Sequence, residues 1–220
     1  IKDGFCVVGG GAMHLNDALG HQKGIKLTYN HHEQACAIAA ECYARIHNRM
    51  AAVCVTTGPG GTNAITGVLG AWLDSIPMFV LSGQFRYDLT ARSTGLNLRA
   101  LGDQEFDICK SIDCMTKYSE MVIEPMRIRY CMEKAFYLAT SNRPGPVWLD
   151  IPVNYQGGII ETDDLVAYSP EEMAEDDAAQ NLPSPVSAET VQTVLDKVRA
   201  AKRPVLYAGN GIRLCFPGGR

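Results

Sequence analysis

No stretch of the 220 residues stays apolar for long, whereas a bilayer-spanning helix needs roughly 18–20 such positions. Apolar runs such as 51–55 and 78–81 are strand-sized. Excess charge is missing too. Twenty Lys and Arg against 24 Asp and Glu leave a formal net charge of −4, which suits neither nucleic acid nor an anionic membrane as partner. Eight cysteines fall at 6, 36, 42, 54, 109, 114, 131 and 215 without a CxxC pair or a Cys/His cluster at zinc spacing. Cys6, Cys36 and Cys54 lie in apolar runs, where a thiol behaves as a small hydrophobe. Reduced core cysteines of a cytoplasmic protein are therefore expected. The chain lacks an initiator Met, Ile1-Lys2-Asp3-Gly4 leads almost at once into an apolar run, and Gly218-Gly219-Arg220 follows soon after a new strand signal. It is expected to be a piece of a longer polypeptide. No internal repeat is visible.

Short apolar runs alternate with helical stretches over residues 1–153. The expected strands are 5–8, 25–29, 51–55, 77–81, 118–122 and 146–151, and the expected helices 12–19, 32–46, 60–73 and 125–140. Residues 84–107 carry no strong period and read as a long functional loop with a short helix. Apolar strands alternating with helices mean a doubly wound parallel sheet, an α/β fold with both faces covered. Such sheets place their sites at the carboxyl ends of the strands. Residues 154–186, with Gly157-Gly158, an acidic stretch over 161–177 and Pro183-Ser184-Pro185, read as a polar linker without a core pattern. From 187 to 220 a second α/β domain is expected to begin: a helix to Lys202 with Ser187 as its N-cap, a strand over 204–208, then Gly209-Asn210-Gly211.

Four turns at strand-to-helix handovers carry chemistry. Gly9-Gly10-Gly11 lets the backbone approach another group closely, but it fails the GxGxxG dinucleotide pattern at His14. His31-His32-Glu33-Gln34 opens a helix that continues Ala35-Cys36-Ala37-Ile38-Ala39-Ala40, small and apolar on every face and so expected to be buried. Glu33 in that first turn reads equally as a helix-dipole partner or as a group that exchanges a proton. A metal at His31 and His32 is disfavoured, because adjacent helical residues point to different faces. Thr56-Thr57-Gly58-Pro59-Gly60-Gly61-Thr62-Asn63 has free backbone N–H groups for an anion or a polar ring but no phosphate-loop lysine. Ser82-Gly83-Gln84 would present the Gln84 amide at the same edge as Glu33 and Asn63, unless Gln84 merely caps.

In order and spacing, these residues resemble the N-terminal domain of acetolactate synthase-type thiamine diphosphate enzymes. The carriers are His32-Glu33-Gln34, Tyr43-Ala44-Arg45, Thr57-Gly58-Pro59-Gly60, Thr62-Asn63, Asp74-Ser75-Ile76-Pro77 and Ser82-Gly83-Gln84. Lys117, Arg143-Pro144-Gly145-Pro146-Val147 and Asp150-Ile151-Pro152 extend the match. The resemblance implies a flavodoxin-like three-layer pyrimidine-binding domain over 1–153 and the start of a central domain, which binds FAD in some members. It implies that Glu33 hydrogen-bonds N1′ of the cofactor's aminopyrimidine and favours the imino tautomer. That tautomer generates the C2 ylide that attacks a 2-oxo acid such as pyruvate; decarboxylation and carboligation follow, the hard chemistry being the cofactor's. Buried, carbon-lined surroundings would suit Glu33 to that task. Gly10, Gly11, Thr57, Gly58, Pro59, Asn63 and Gln84 would line the cofactor, and Asp103, Gln104 and Lys117 the substrate side.

The resemblance also implies Mg²⁺ held by a Gly-Asp-Gly…Asn motif in a C-terminal domain, so no metal ligand is expected among these residues. The active site would form between subunits of a homodimer or tetramer, leaving this chain inactive alone. Departures bear on substrate. The family's Tyr-Pro-Gly-Gly is Val7-Val8-Gly9-Gly10, the Arg before His-Glu-Gln is His31, and Asp103 stands where acetolactate synthases carry a substrate-lining Phe. A carboxylate there should disfavour anionic 2-oxo acid acceptors. A simple decarboxylase or oxidase, a non-catalytic paralogue and a flavoprotein built around Gly209-Asn210-Gly211 are the alternatives; retention of Glu33 argues against the paralogue.

Overall fold

A computed structural model describes residues 1–180 and 183–212. Cys215, Gly218-Gly219-Arg220 and two positions of the expected linker, 181–182, lie outside the described residues. Six strands form one sheet: β1 (Asp3–Cys6), β2 (Lys26–Tyr29), β3 (Ala51–Val55), β4 (Met78–Gln84), β5 (Tyr118–Met121) and β6 (Pro146–Pro152). Their order is β2-β1-β3-β4-β6-β5 and every pairing is parallel. The helices are α1 (Met13–His21), α2 (Glu33–His47), α3 (Pro59–Leu73), α4 (Ala91–Thr94), α5 (Ile108–Ile112), α6 (Ile128–Thr140), α7 (Val153–Gln156), α8 (Pro170–Ala179) and α9 (Ala188–Ala200). The doubly wound α/β architecture expected from the alternation is the one observed. Among the described residues no helix is long and apolar enough to cross a membrane.

Every residue of β3, β4 and β6 is buried, which is why 51–55, 78–81 and 146–149 read as apolar runs without alternation, while Ser82, Gln84 and Asp150 bring buried polar groups to the carboxyl ends of β4 and β6. Side chains nonetheless alternate between two cores. Val53, Val55, Met78, Val80 and Trp148 face one layer with α2, α3 and α5. Phe79, Leu81, Val147, Leu149 and Ile151 face the other with α6, and Leu15 and Leu19 of α1 pack against it.

The packing of α2 on α3 positions the site. A β-carbon on Gly67 would lie 2.6 Å from Ala37 Cβ and 2.8 Å from the Ile38 backbone nitrogen, so the helices touch backbone to backbone there. Residues four apart share a helix face. One turn before that contact, Asn63 of α3 meets Glu33 of α2. Towards the other end, Arg45 bridges Glu41 of its own helix and Asp74 at the end of α3. The two helices thus run side by side, the first residue of α2 level with the second turn of α3.

Several expectations are corrected. The chain leaves β1 at Cys6, two residues before the expected end, and Val8 is 63% exposed. Helix α2 is not buried all round. Cys36, Ala37, Ala40 and Ala44 face the core, but Ile38 and Ile46 are exposed, because only one side of the helix meets the sheet. The segment 154–186 is not structureless. It holds a 3₁₀ turn (Thr162–Asp164) and α8, and Tyr168 is 3% exposed against the rings of Tyr130 and Tyr137. The chain divides into two compact units, Ile1–Met173 and Ala174–Arg220. In the second, Ser187 caps α9 through the Thr190 N–H, as expected, and Val191, Val194, Leu195 and Val198 follow helical spacing. Residues 204–208 form no strand: Val205, Leu206 and Tyr207 are exposed, and no described neighbour pairs with them. Cys6, Cys36, Cys54 and Cys131 are buried free thiols, whereas Cys42 and Cys114 are exposed rather than in the core.

Gly67→Ala tests the helix contact. Alanine improves helix propensity by about 1 kcal/mol, yet here its methyl meets backbone, so a net loss of about 1–3 kcal/mol is expected. Urea unfolding that showed Gly67→Ala as stable as the parent would disprove the close approach.

Candidate functional site

Strand order reverses between β1 and β3, and the crevice outside their carboxyl ends is where sheets of this kind bind ligands. The turn after β1 holds Gly9, Gly10 and Gly11; the turn after β3 holds Thr56, Thr57, Gly58 and Pro59. They interlock, since a β-carbon on Gly9 would lie 2.5 Å from Thr56 Cβ. Gly83 near the end of β4 presses so closely on the Gly11 carbonyl that any side chain there would displace the turn. Gly58 adopts φ 51° as the N-cap of α3, with Pro59 in its first turn, and abuts the Gln104 carbonyl. Both the positive φ and that contact require glycine. These turns and the 102–104 loop enclose a cleft of about 550 Å³, whose walls include Gly10, Gly11, Thr57, Arg86, Asp103 and Gln104.

Glu33 approaches the same turn from its other side. It is the first residue of α2, half-buried, after the N-cap His32, whose Nδ1 accepts the Gln34 N–H at 3.1 Å. Asn63 Nδ2 donates to Glu33 Oε2 at 3.0 Å. A β-carbon on Gly60 would lie 3.5 Å from Glu33 Oε1 and 2.7 Å from Thr56 Cγ2. Oε1 itself has no hydrogen-bond partner among the described residues. The result is a carboxylate held by one oxygen and open at the other, beside a surface kept bare by glycine. An open acceptor oxygen in that place fits a polar ring bearing an N–H.

Two expected residues sit elsewhere. Gln84 is 1% exposed and its amide is fully engaged: Nε2 donates to Phe106 O at 2.7 Å and to Asp150 Oδ2 at 2.9 Å, while Oε1 accepts the Phe85 N–H at 2.9 Å. It braces the floor of the site and does not face Glu33. Lys117 is not at the cleft. Its backbone N–H donates to the Pro146 carbonyl at the start of β6 and its Nζ to the Ser141 carbonyl at 2.8 Å. In a parallel sheet all strands begin at one edge, and seven-residue β6 separates that edge from the cleft by roughly 20 Å.

Other residues emerge only in three dimensions. Arg86 brings a cation to the cleft that also carries Asp103; it pairs with Asp88 at 2.8 Å. Gln156 Nε2 donates to Gly11 O at 2.7 Å and to Ile151 O at 2.6 Å, tying the first turn to the end of β6. No sequence signal marks either. Asp150 is fully buried, accepting from Ser82 Oγ at 2.6 Å and from Gln84, and Trp148 Nε1 donates to the same Ser82 oxygen at 2.7 Å. Burial pushes its carboxyl up to about 7, although both hydrogen bonds pull the other way.

The geometry defines an α/β binding domain of the open-sheet class, with a carboxylate and glycine turns gathered at the switch point. Residues 1–109 match the family described as thiamine pyrophosphate enzyme, N-terminal TPP binding domain. The chain belongs to that family of thiamine pyrophosphate enzymes. It is 34% identical over 211 residues to acetolactate synthase 1, chloroplastic, of Zea mays, an alignment covering 96% of this chain and 31% of that protein. It is 32% identical over 213 residues to the acetolactate synthase large subunit of Lactococcus lactis, covering 94% and 34%. Against acetolactate synthase isozyme 1 large subunit of Escherichia coli, identity is 34% over 206 residues, covering 94% and 34%. The chain thus spans about a third of the length of the curated relatives it matches.

Asp150 gives a pH test. Its folded pKa lies above the ordinary 3.8, so its contribution to stability is complete below that value and is lost as pH rises through about 7. Relative to Asp150→Asn, the parent should lose about 3 kcal/mol between pH 5 and pH 8. A stability difference between the two proteins that is flat across this range would contradict the assignment.

Proposed function

We propose that this chain supplies the cofactor-activating carboxylate, Glu33, of a thiamine diphosphate-dependent carboligase acting on a 2-oxo acid such as pyruvate. The observation that carries the reading is the Glu33–Asn63 pair, with Oε1 open beside Gly60. When bound, thiamine diphosphate supplies the carbanion-stabilising chemistry that side chains lack. Glu33 Oε1 would hold the proton at N1′ of the aminopyrimidine, and Asn63 fixes the rotation of the carboxylate that does so. Thr57, Gly58 and Pro59, with Gly10 and Gly11 opposite, offer backbone to the ring rather than bulk. A proton shared at a fixed distance is what general acid–base catalysis needs from the protein.

Asp103 and Gln104 form the substrate wall of the cleft in this reading. A second 2-oxo acid would bring its carboxylate toward that of Asp103, so an uncharged carbonyl acceptor is favoured. Residues 1–153 serve as the pyrimidine-binding domain, and residues from 187 onward open a central domain. Mg²⁺ and the diphosphate would be held outside these residues, with a second subunit completing the site; the chain covers only about a third of the length of its acetolactate synthase relatives.

Two variants of the full-length polypeptide test the proposal. Glu33→Gln should slow exchange of the bound cofactor's C2 proton by about 10²-fold or more, followed by NMR of quenched samples, while the cofactor still binds. Unchanged exchange removes Glu33 from the reaction. Asp103→Phe should shift the ratio of kcat/KM for pyruvate over an uncharged aldehyde acceptor by about tenfold toward pyruvate. An unmoved ratio would dissociate Asp103 from acceptor choice.

A further inference from the structure

The cleft's substrate wall is a loop without regular structure, yet it is held in one shape by a residue outside the cleft. Glu105 accepts three backbone N–H groups at once: Ala91 at 2.6 Å on Oε1, and Leu101 at 2.8 Å and Gly102 at 3.0 Å on Oε2. Its own N–H returns to the Gly102 carbonyl at 3.3 Å. One carboxylate therefore closes the excursion from 91 to 105, joining both of its ends. Charge-assisted bonds of this kind are the strong ones, and an acceptor lost here leaves three N–H groups to find other partners.

The consequence falls on Asp103 and Gln104. Gly102, gripped by Glu105, lies against the Phe85 ring, where a β-carbon could not fit unless the ring moved. Gln104 turns at φ 56° and sets its carbonyl against Gly58. Asp103 is thus suspended between two tight contacts, one to each wall of the cleft. Phe106 O, just beyond, is fastened by Gln84. None of these bonds touches Glu33 or Asn63, which belong to α2 and α3.

We infer that Glu105 is a positioning residue that sets the substrate wall of the cleft by fixing Asp103 and Gln104, independently of the cofactor-facing pair. This rests on the functional reading above for what the wall contacts, but not for the anchoring itself.

The test uses the full-length polypeptide with thiamine diphosphate and Mg²⁺, comparing the parent with Glu105→Ala and Glu105→Gln. Hydrogen exchange at the amides of Ala91, Leu101 and Gly102 should rise about tenfold or more in Glu105→Ala, with β3 and β4 unchanged. Glu105→Gln, which keeps one carbonyl oxygen, should fall between. KM for the 2-oxo acid should rise in the same order, by about tenfold in Glu105→Ala, while C2-proton exchange of the bound cofactor stays within about twofold. Unaltered amide exchange in Glu105→Ala overturns the inference. So does a rise shared by β3 and β4, which would mark general destabilisation, or a loosened loop with KM unmoved. A parent that converts no 2-oxo acid defeats the functional reading, and amide exchange alone then judges the anchor.

Discussion

Contact between Ala37 and Gly67 sets how near α2 and α3 approach, and the site inherits that spacing. Two parallel helices whose backbones touch can present residues one turn earlier within hydrogen-bonding reach of one another, as Glu33 and Asn63 are. With a larger residue at position 67 the helices would part, and the amide would no longer reach the carboxylate. Small residues in α2 and α3 (Ala37, Ala40, Gly67, Gly70) therefore serve a polar contact as much as an apolar core. Rigid elements, rather than a loop, hold the carboxylate.

The cleft beside it is made differently. Its walls are turns and one long loop, fixed by close backbone contacts at Gly58 and Gly83 and by side chains that bond to backbone. Gln84, Glu105 and Gln156 each hold two or more main-chain or carboxylate groups from separate parts of the chain. Loops that run over a surface leave many N–H and C=O groups to be satisfied, and these three residues satisfy several at the place where order matters. Two carboxylates illustrate the division. Glu33, half-buried, keeps one oxygen free; Asp150, beneath the floor, has both oxygens engaged in a network with Ser82, Trp148 and Gln84.

Much of the fold was legible along the chain. Runs such as Ala51–Val55 and Pro146–Leu149 are apolar throughout because both sheet faces are covered, and helices between them demand parallel pairing. The glycine turns were legible as well, since positive φ and close approach leave few other residues to choose from. Burial of one helix face was not. A run of alanines looks the same on every side, so α2 read as wholly enclosed although Ile38 and Ile46 face out. Exposed Val205, Leu206 and Tyr207 look like a strand by composition, but a parallel strand exists only when a neighbour pairs with it.

The same boundary separates what was known of the site. Periodicity, turn chemistry and the order of motifs act over a few residues, so the amino-acid sequence by itself determined the strand–helix alternation, the handover turns and the candidacy of Glu33 and Asn63. Tertiary structure alone decided that Gln156 holds a carbonyl 145 positions away. It also turned Gln84 down toward Asp150 across 66 positions and set Lys117 at the far edge of the sheet. Strand order and register fix which distant side chains become neighbours, and those depend on the packing of the whole core at once.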